Sequence, residues 1–239
     1  MRITAGHARG RVFKTPEGNG TRPTDARTRE TLFNIIGERV VKARVLDLYA
    51  GSGALGFEAL SRGAQSVLFI EQNPAACRVI RDNIKSLGYE DVASVWQTNI
   101  KSAIARLLEK SGQQSVVSDQ TSDDETRHLS LVALHFDLVL ADPPFHRKAE
   151  LPQLCALLDN IAPLLHNGKE PFSPLPPLEL PPLLVIQHAW KDEPHLSPIF
   201  HRINQRRAGE SRLSFYHINS PKTLETSTRE PQPREEARP

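Results

Sequence analysis

Asp47-Leu-Tyr-Ala-Gly51-Ser-Gly53-Ala-Leu-Gly56 and Asp142-Pro143-Pro144-Phe145 hold the residue types of a group-transfer site, about ninety residues apart. Gly51, Gly53 and Gly56 follow an apolar run and open a helix. Glycines let a backbone pass close to a ligand, and a helix start offers free N–H groups to it. Glu71 lies twenty residues after Gly51, where an acid binds ribose hydroxyls. These residues alone suit NAD and S-adenosylmethionine equally. Asp47 shifts the balance. A carboxylate at that strand end repels a pyrophosphate but engages, directly or through water, the ammonium of a methionine moiety. Its plainer reading is a turn or capping acid. Asn99 can bind an adenine edge by its amide, or simply cap the helix after it.

In the second stretch, Pro143 and Pro144 fix the backbone and remove two N–H donors. Carbonyls and the Asp142 side chain remain, all acceptors, and they match the N–H groups of a base amine. Phe145 offers a face for an extruded base. An exocyclic amine is a poor nucleophile, so holding it in line supplies much of the rate. Asp142 can take the released proton. A plain Pro-Pro turn is the alternative. Both stretches together suit methyl transfer from S-adenosylmethionine to a base amine, leaving S-adenosylhomocysteine.

The elements that must position these residues alternate. Strands are expected at Val45–Tyr49, Ser66–Ile70, Ala93–Gln97, Phe136–Leu140 and Leu183–His188. Helices are expected at Leu55–Ser61, Pro74–Leu87, Ile100–Lys110 and Glu150–His166. A further helix starts at Thr24 or Asp25, runs to about Val41, and turns Leu32, Ile35, Ile36 and Val40 to one face. Such alternation predicts an α/β fold with a mostly parallel sheet covered on both faces, ligands lying beyond the strands' carboxyl ends. His201–Arg207 and Arg212–Ile218 flank Ala208-Gly209-Glu210 as a closing antiparallel hairpin. Residues 1–23 read as a β-hairpin arm, and 24–219 as the main domain. Residues 111–130 are a polar insertion. Residues 171–182 hold six prolines, which favour extended structure. Residues 220–239 are a charged tail expected to be disordered.

Composition narrows the setting. The 239 residues are 38% hydrophobic, enough for one sizeable core. No apolar run approaches a membrane span, and no signal-peptide core opens the chain. Cys77 and Cys155 read as reduced core thiols, so a cytoplasmic protein is expected. The net charge of +2 hides a split: residues 1–44 carry +6 and the remainder −4. A basic arm on a near-neutral body reads as a polyanion contact, with Arg9 and Arg11 as candidates. No HExxH or CxxC spacing occurs, so no metal is expected.

The order Asp-Leu-Tyr-Ala-Gly-Ser-Gly-Ala-Leu-Gly, Ile70-Glu71, Asn99, Asp-Pro-Pro-Phe resembles class I S-adenosylmethionine-dependent N-methyltransferases. The flanks Met1-Arg-Ile…Gly6…Arg9-Gly10-Arg11, Arg22-Pro23-Thr24…Arg27-x-Arg29-Glu30-Thr31-Leu32-Phe33-Asn34, Glu58-Ala59-Leu60-Ser61-Arg62-Gly63-Ala64 and Gly209-Glu210-Ser211…Ser214-Phe215-Tyr216 resemble the RsmD family. That resemblance implies a Rossmann-like methyltransferase domain whose N-terminal hairpin helps to grip RNA. It implies transfer to guanine N2 of 16S ribosomal RNA, within the small ribosomal subunit, by a monomer. Asp47, Gly51, Gly53, Glu71 and Asn99 would hold the cofactor, and Asp142, Pro143 and Phe145 the target base. Arg22, Arg27 and Arg29 would face the RNA or the mouth of the site. The pattern departs at Gln187-His188, where the resemblance implies an acid. Three rivals stand beside it: an adenine-N6 or other amino-methyltransferase, an NAD-dependent oxidoreductase, and a nonenzymatic RNA-binding module.

Overall fold

A computed structural model describes residues 1–16, 24–112, 135–144, 149–165 and 181–218. The insertions at 113–130 and 171–180, Arg22, Phe145 and the tail lie outside the described residues.

The strands are β1 (Arg44–Leu48), β2 (Ser66–Glu71), β3 (Ala93–Gln97), β4 (Leu138–Ala141), β5 (Leu183–Ala189), β6 (Phe200–Ala208) and β7 (Ser211–Ile218). They form one sheet in the order β3-β2-β1-β4-β5-β7-β6. The first five are parallel, and β7 runs antiparallel to both β5 and β6. All five residues of β1 are buried, as a central parallel strand covered on both faces requires. Side chains alternate between two layers. Val45, Phe69, Leu140, Val185 and Phe215 pack beneath one set of helices, and Leu46, Ile70, Val139, Ile186 and Tyr216 beneath the other.

The helices are α1 (Ala26–Ile36), α2 (Ala54–Ser61), α3 (Pro74–Leu87), α4 (Ile100–Gly112) and α5 (Glu150–Leu158). Asp25 caps α1 by accepting from Thr28 N at 2.9 Å. The helix stops at Ile36 rather than near Val41 because Gly37 adopts φ +59 and turns its N–H to Phe33 O; a 3-10 turn, Gly37–Val40, follows. Leu32, Ile36 and Val40 still reach the core. Likewise α5 ends at Leu158 and becomes a 3-10 turn over Asp159–Leu164, which carries Pro163, short of the expected His166. Strand β4 begins at Leu138, two residues later than expected, while Phe136 makes an isolated bridge to Leu165. Asn73 caps α3 and Pro74 opens it.

The N-terminal hairpin bridges Arg2 to Val12. It packs onto the domain: Ile3, Ala8 and Phe13 are buried in the same core layer as α1 and α2. Gly6 sits at φ +81, where an added Cβ would lie 1.8 Å from the Ser61 carbonyl oxygen. Ser61 ends α2, and Lys42 N, just before β1, donates to Gly63 O at 2.7 Å. The hairpin tip therefore lies at the edge where the strands begin. Cys77 and Cys155 are free and buried. Among the described residues no helix is long and apolar enough to cross a membrane.

Candidate active site

The glycine loop turns at the end of β1 through three positive φ values: Tyr49 at 60, Gly51 at 55 and Gly53 at 77. Two acids clip it in place. Glu71 ends β2 and accepts from Gly51 N at 2.8 Å through Oε2 and from Asn73 N at 2.8 Å through Oε1. Asp47, 1% exposed, accepts from Gly56 N at 3.0 Å and so tethers the start of α2 to β1. Gly56 lies where an added Cβ would meet Phe69 Cε1 at 2.2 Å, so α2 packs tightly on β2 only because this position is glycine. The Tyr49 hydroxyl donates to Glu150 Oε2 at 3.2 Å and ties the loop to α5.

Strand pairing brings the second motif to this loop. Leu48 pairs with Ala141, and Asp142 N donates to Leu48 O at 3.4 Å. Asp142 thus stands directly beyond β4, beside the turn after β1. Its Oδ2 accepts from Thr24 Oγ1 at 2.5 Å. Burial pushes the Asp142 carboxyl up to about 6, against the opposing Thr24 hydrogen bond. Burial pushes Asp47 further, to about 8; the Gly56 N–H opposes this, and the negative charges of Asp142 and Glu71 add to it. Three carboxyl groups therefore share one sheet edge, where a bound cation would lower the cost of their ionisation.

Gln187 continues the face of Leu183 and Val185, one strand beyond Asp142, since Ala141 pairs with Ile186. It is 6% exposed, and its Oε1 has no hydrogen-bond partner among the described residues. His188 turns to the other face. Its Nδ1 lies 3.0 Å from Ala189 O, which can only accept, so Nδ1 carries the proton. Nε2 then accepts from Ser214 Oγ at 2.8 Å. Burial holds this imidazole below its ordinary value, hence neutral. An amide and a neutral imidazole thus stand where an acid was expected.

The remaining expected residues divide. Asn99 caps α4, its Oδ1 accepting from Ser102 N at 2.9 Å, so only its amide nitrogen is left to meet an adenine edge. The expectation that Arg29 faces RNA is corrected: Arg29 is 1% exposed and donates to Thr24 O at 2.7 Å and Arg2 O at 2.8 Å. Arg11 is exposed, but its guanidinium is committed to protein, giving two N–H groups to Leu87 O and Ser86 O at the end of α3. Arg9 is exposed, but at the hairpin tip, on the opposite sheet edge from Asp142. Arg27 is exposed in the first turn of α1, near Thr24. Thr24 and Glu58 were missed as site-supporting residues. Both sit inside the quoted Arg-Pro-Thr and Glu-Ala-Leu-Ser-Arg blocks, the only signal that pointed to them.

Residues 1–119 match the family model described as "Conserved hypothetical protein 95". The chain is 31% identical over 159 residues to "Putative rRNA methyltransferase YlbH" of Bacillus subtilis, covering 64% of this chain and 86% of that relative. It is 34% identical over 160 residues to "Ribosomal RNA small subunit methyltransferase D" of Haemophilus influenzae, covering 67% of this chain and 72% of the other. The chain belongs to the RsmD family of methyltransferases. The solved structure "Putative methyltransferase yhhF from Escherichia coli" superposes with a TM-score of 0.65 at 27% identity, covering 91% of this chain and 97% of that one. Gly51, Gly53, Asp47, Glu71, Asp142 and Pro143 meet at one edge in this member.

Proposed function

We propose that this chain transfers a methyl group from S-adenosylmethionine to the exocyclic N2 amine of a guanine in 16S ribosomal RNA, within the small ribosomal subunit. One observation carries the reading: the β1–β4 pairing sets Asp142 against the loop clipped by Asp47 and Glu71. The names of the relatives from Haemophilus influenzae and Escherichia coli supply the RNA and the subunit.

The chain's own residues fit the cofactor. Asp47, Glu71 and Asp142 make an edge that calls for positive charge, and S-adenosylmethionine carries a sulfonium and an ammonium. When bound, it supplies an electrophilic methyl group. Asp47 and Glu71 hold the loop and leave carboxylate oxygens toward that edge; the Asn99 amide nitrogen suits an adenine ring nitrogen. Pro143, which has no N–H, keeps the turn free of donors that would compete for the amine. Asp142 accepts from the target N2 amine, stabilises its growing positive charge, and takes its proton. Phe145 is assigned to stack on the base.

RNA also needs a surface beside this edge. The turn after β6 pairs with the end of β5, beyond Asp142's level. Trp190, 42% exposed, lies there with Lys191 Nζ and Arg207 Cζ each 5.4 Å from its ring centroid. Cations beside an exposed indole suit unpaired nucleotides.

The test is methyl-labelled S-adenosylmethionine with small ribosomal subunits that lack the mark. Label on guanine N2 is expected. Label on adenine or on DNA refutes the target, and binding of NAD without S-adenosylmethionine refutes the reaction.

A further inference from the structure

The Asp142 carboxylate is held from a part of the chain 118 residues away. Thr24 is 7% exposed, and its hydroxyl donates a hydrogen bond to Asp142 Oδ2 at 2.5 Å. Its backbone is fixed from two sides. Asp25, the next residue, caps α1, and the Thr24 carbonyl accepts from Arg29 Nη1 at 2.7 Å. Arg29 in turn donates to Arg2 O and lies 3.8 Å from Glu58 Oε2. Glu58, on α2, accepts from Thr4 N, Thr4 Oγ1, Ala5 N and Arg62 Nε. A continuous set of bonds thus runs from the N-terminal hairpin through α2 and α1 to Asp142.

A hydroxyl donates a single hydrogen. With Thr24 spending it on Oδ2, the carboxylate cannot rotate without breaking that bond, and Oδ1 is the oxygen left for substrate. A donor to a carboxylate also favours its ionised form. We propose that Thr24 is the positioning residue for Asp142, pinning Oδ2 so that Oδ1 meets the target amine, with Arg29 and Glu58 holding Thr24 in place. This rests on the assignment of Asp142 under the function proposed above. The step balances: the methyl group leaves the sulfonium sulfur of S-adenosylmethionine for the amine nitrogen, S-adenosylhomocysteine is the neutral leaving group, the amine's proton passes to Oδ1, and Thr24 keeps its own proton. Asp47 on β1 and Glu71 on β2 share this edge with Asp142, Arg29 lies behind Thr24, and Gln187 on β5 is neutral; burial raises the Asp142 carboxyl and the Thr24 hydrogen bond lowers it.

The experiment uses the full chain with ¹³C-labelled aspartate carboxyls, Asp142 being assigned by the signal lost in Asp142→Asn. Thr24→Val keeps the shape and removes the donor, and Thr24→Ser restores the donor. The Asp142 titration midpoint should rise in Thr24→Val and return to the wild-type value in Thr24→Ser. The acid limb of the kcat profile should move with it. kcat should fall by about 100-fold, the scale of a misplaced reacting group, with KM for RNA and binding of S-adenosylmethionine little changed. Thr24→Ala serves if the valine variant does not fold. An unmoved midpoint overturns the proposal, and so does an equal shift in the serine variant. A wild-type protein that methylates no RNA overturns the function; the NMR comparison still decides whether Thr24 governs Asp142.

Discussion

Replacing Glu58 with alanine removes a carboxylate that serves three elements at once. Glu58 is 1% exposed and accepts from Thr4 N at 2.9 Å, Thr4 Oγ1 at 2.6 Å, Ala5 N at 3.0 Å and Arg62 Nε at 3.0 Å. It is also the counter-charge of Arg29, whose Nε is buried with no hydrogen-bond partner among the described residues. Arg29 keeps its bonds to Thr24 O and Arg2 O in Glu58→Ala, but it loses its largest counter-charge, with only Asp25 and Glu30 left to offset its burial. Breaking a buried pair from one side costs about 3–5 kcal/mol, against a total stability of about 5–15 kcal/mol for a domain. At about 2–4 °C per kcal/mol for a chain of this size, Tm should fall by roughly 10 °C. Glu58→Gln keeps an acceptor and should cost less. Arg29→Met with Glu58→Ala removes both charges, so the double variant should be more stable than the two single losses summed. The assay is urea unfolding of all four proteins with m held in common. A Glu58→Ala loss below about 1 kcal/mol, or strict additivity in the cycle, refutes the coupling.

Asp47→Asn should abolish binding of S-adenosylmethionine while stabilising the ligand-free protein in alkali. The sign follows from its carboxyl, raised in the folded state to about 8. The stability it contributes is complete below the ordinary carboxylate range and is lost as pH rises through about 8. The variant and wild type should therefore differ least near pH 3 and most near pH 9, the gap growing between; the same Tm difference at both would contradict this. In the wild type, cofactor affinity should rise with pH, by up to about tenfold per unit below pH 8, with a proton released on binding. Calorimetry in buffers of different ionisation enthalpy reads that proton, and a buffer-independent enthalpy would remove Asp47 from the linkage. Gly56→Ala gains about 1 kcal/mol of helix propensity, but its Cβ meets Phe69 at 2.2 Å and Val67 at 2.9 Å. Overpacking at about 1–3 kcal/mol should win, giving a lower Tm and weaker cofactor binding through the Asp47–Gly56 bond; a higher Tm would show that the interface yields freely.

The order of strands and helices was legible because the central strands are short apolar runs that end in turn residues, and α1, α3 and α4 carry side-chain caps at Asp25, Asn73 and Asn99. Asn73-Pro74…Gly88 fixes α3 to the residue. The ends of α1 and α5 were less so, since an apolar stripe continues through a 3-10 turn as through an α-helix. The shape of the glycine loop was legible because its partners are close in sequence: Asp47 meets Gly56, and Gly51 meets Glu71. The arginines were not. Arg9, Arg11, Arg27 and Arg29 look alike in a charge count, yet Arg11 is spent on carbonyls 75 and 76 residues away and Arg29 on an acid of another helix. A residue's sign is in the sequence, but whether its charge faces water is set by packing across the fold. Thr24 escaped for the same reason, its partner lying 118 residues away in sequence.

The acids at the site edge decide between the two cofactors that the glycine loop admits. Asp47 ends β1, Glu71 ends β2 and Asp142 follows β4, and β1 pairs with both other strands. In a low-dielectric edge each negative charge raises the others' cost of ionisation, as the Asp47 carboxyl shows. A pyrophosphate would add two further negative charges beside a buried carboxyl, so a dinucleotide could be held only with Asp47 and Asp142 protonated. That would remove the proton acceptor from the site. A sulfonium with an α-ammonium does the reverse: it lowers the carboxyls toward their ionised forms, and an ionised Asp142 is the form that can accept a proton from an amine. On the proposed function, the electrostatics that favour the methyl donor thus also prepare Asp142 to act as the base.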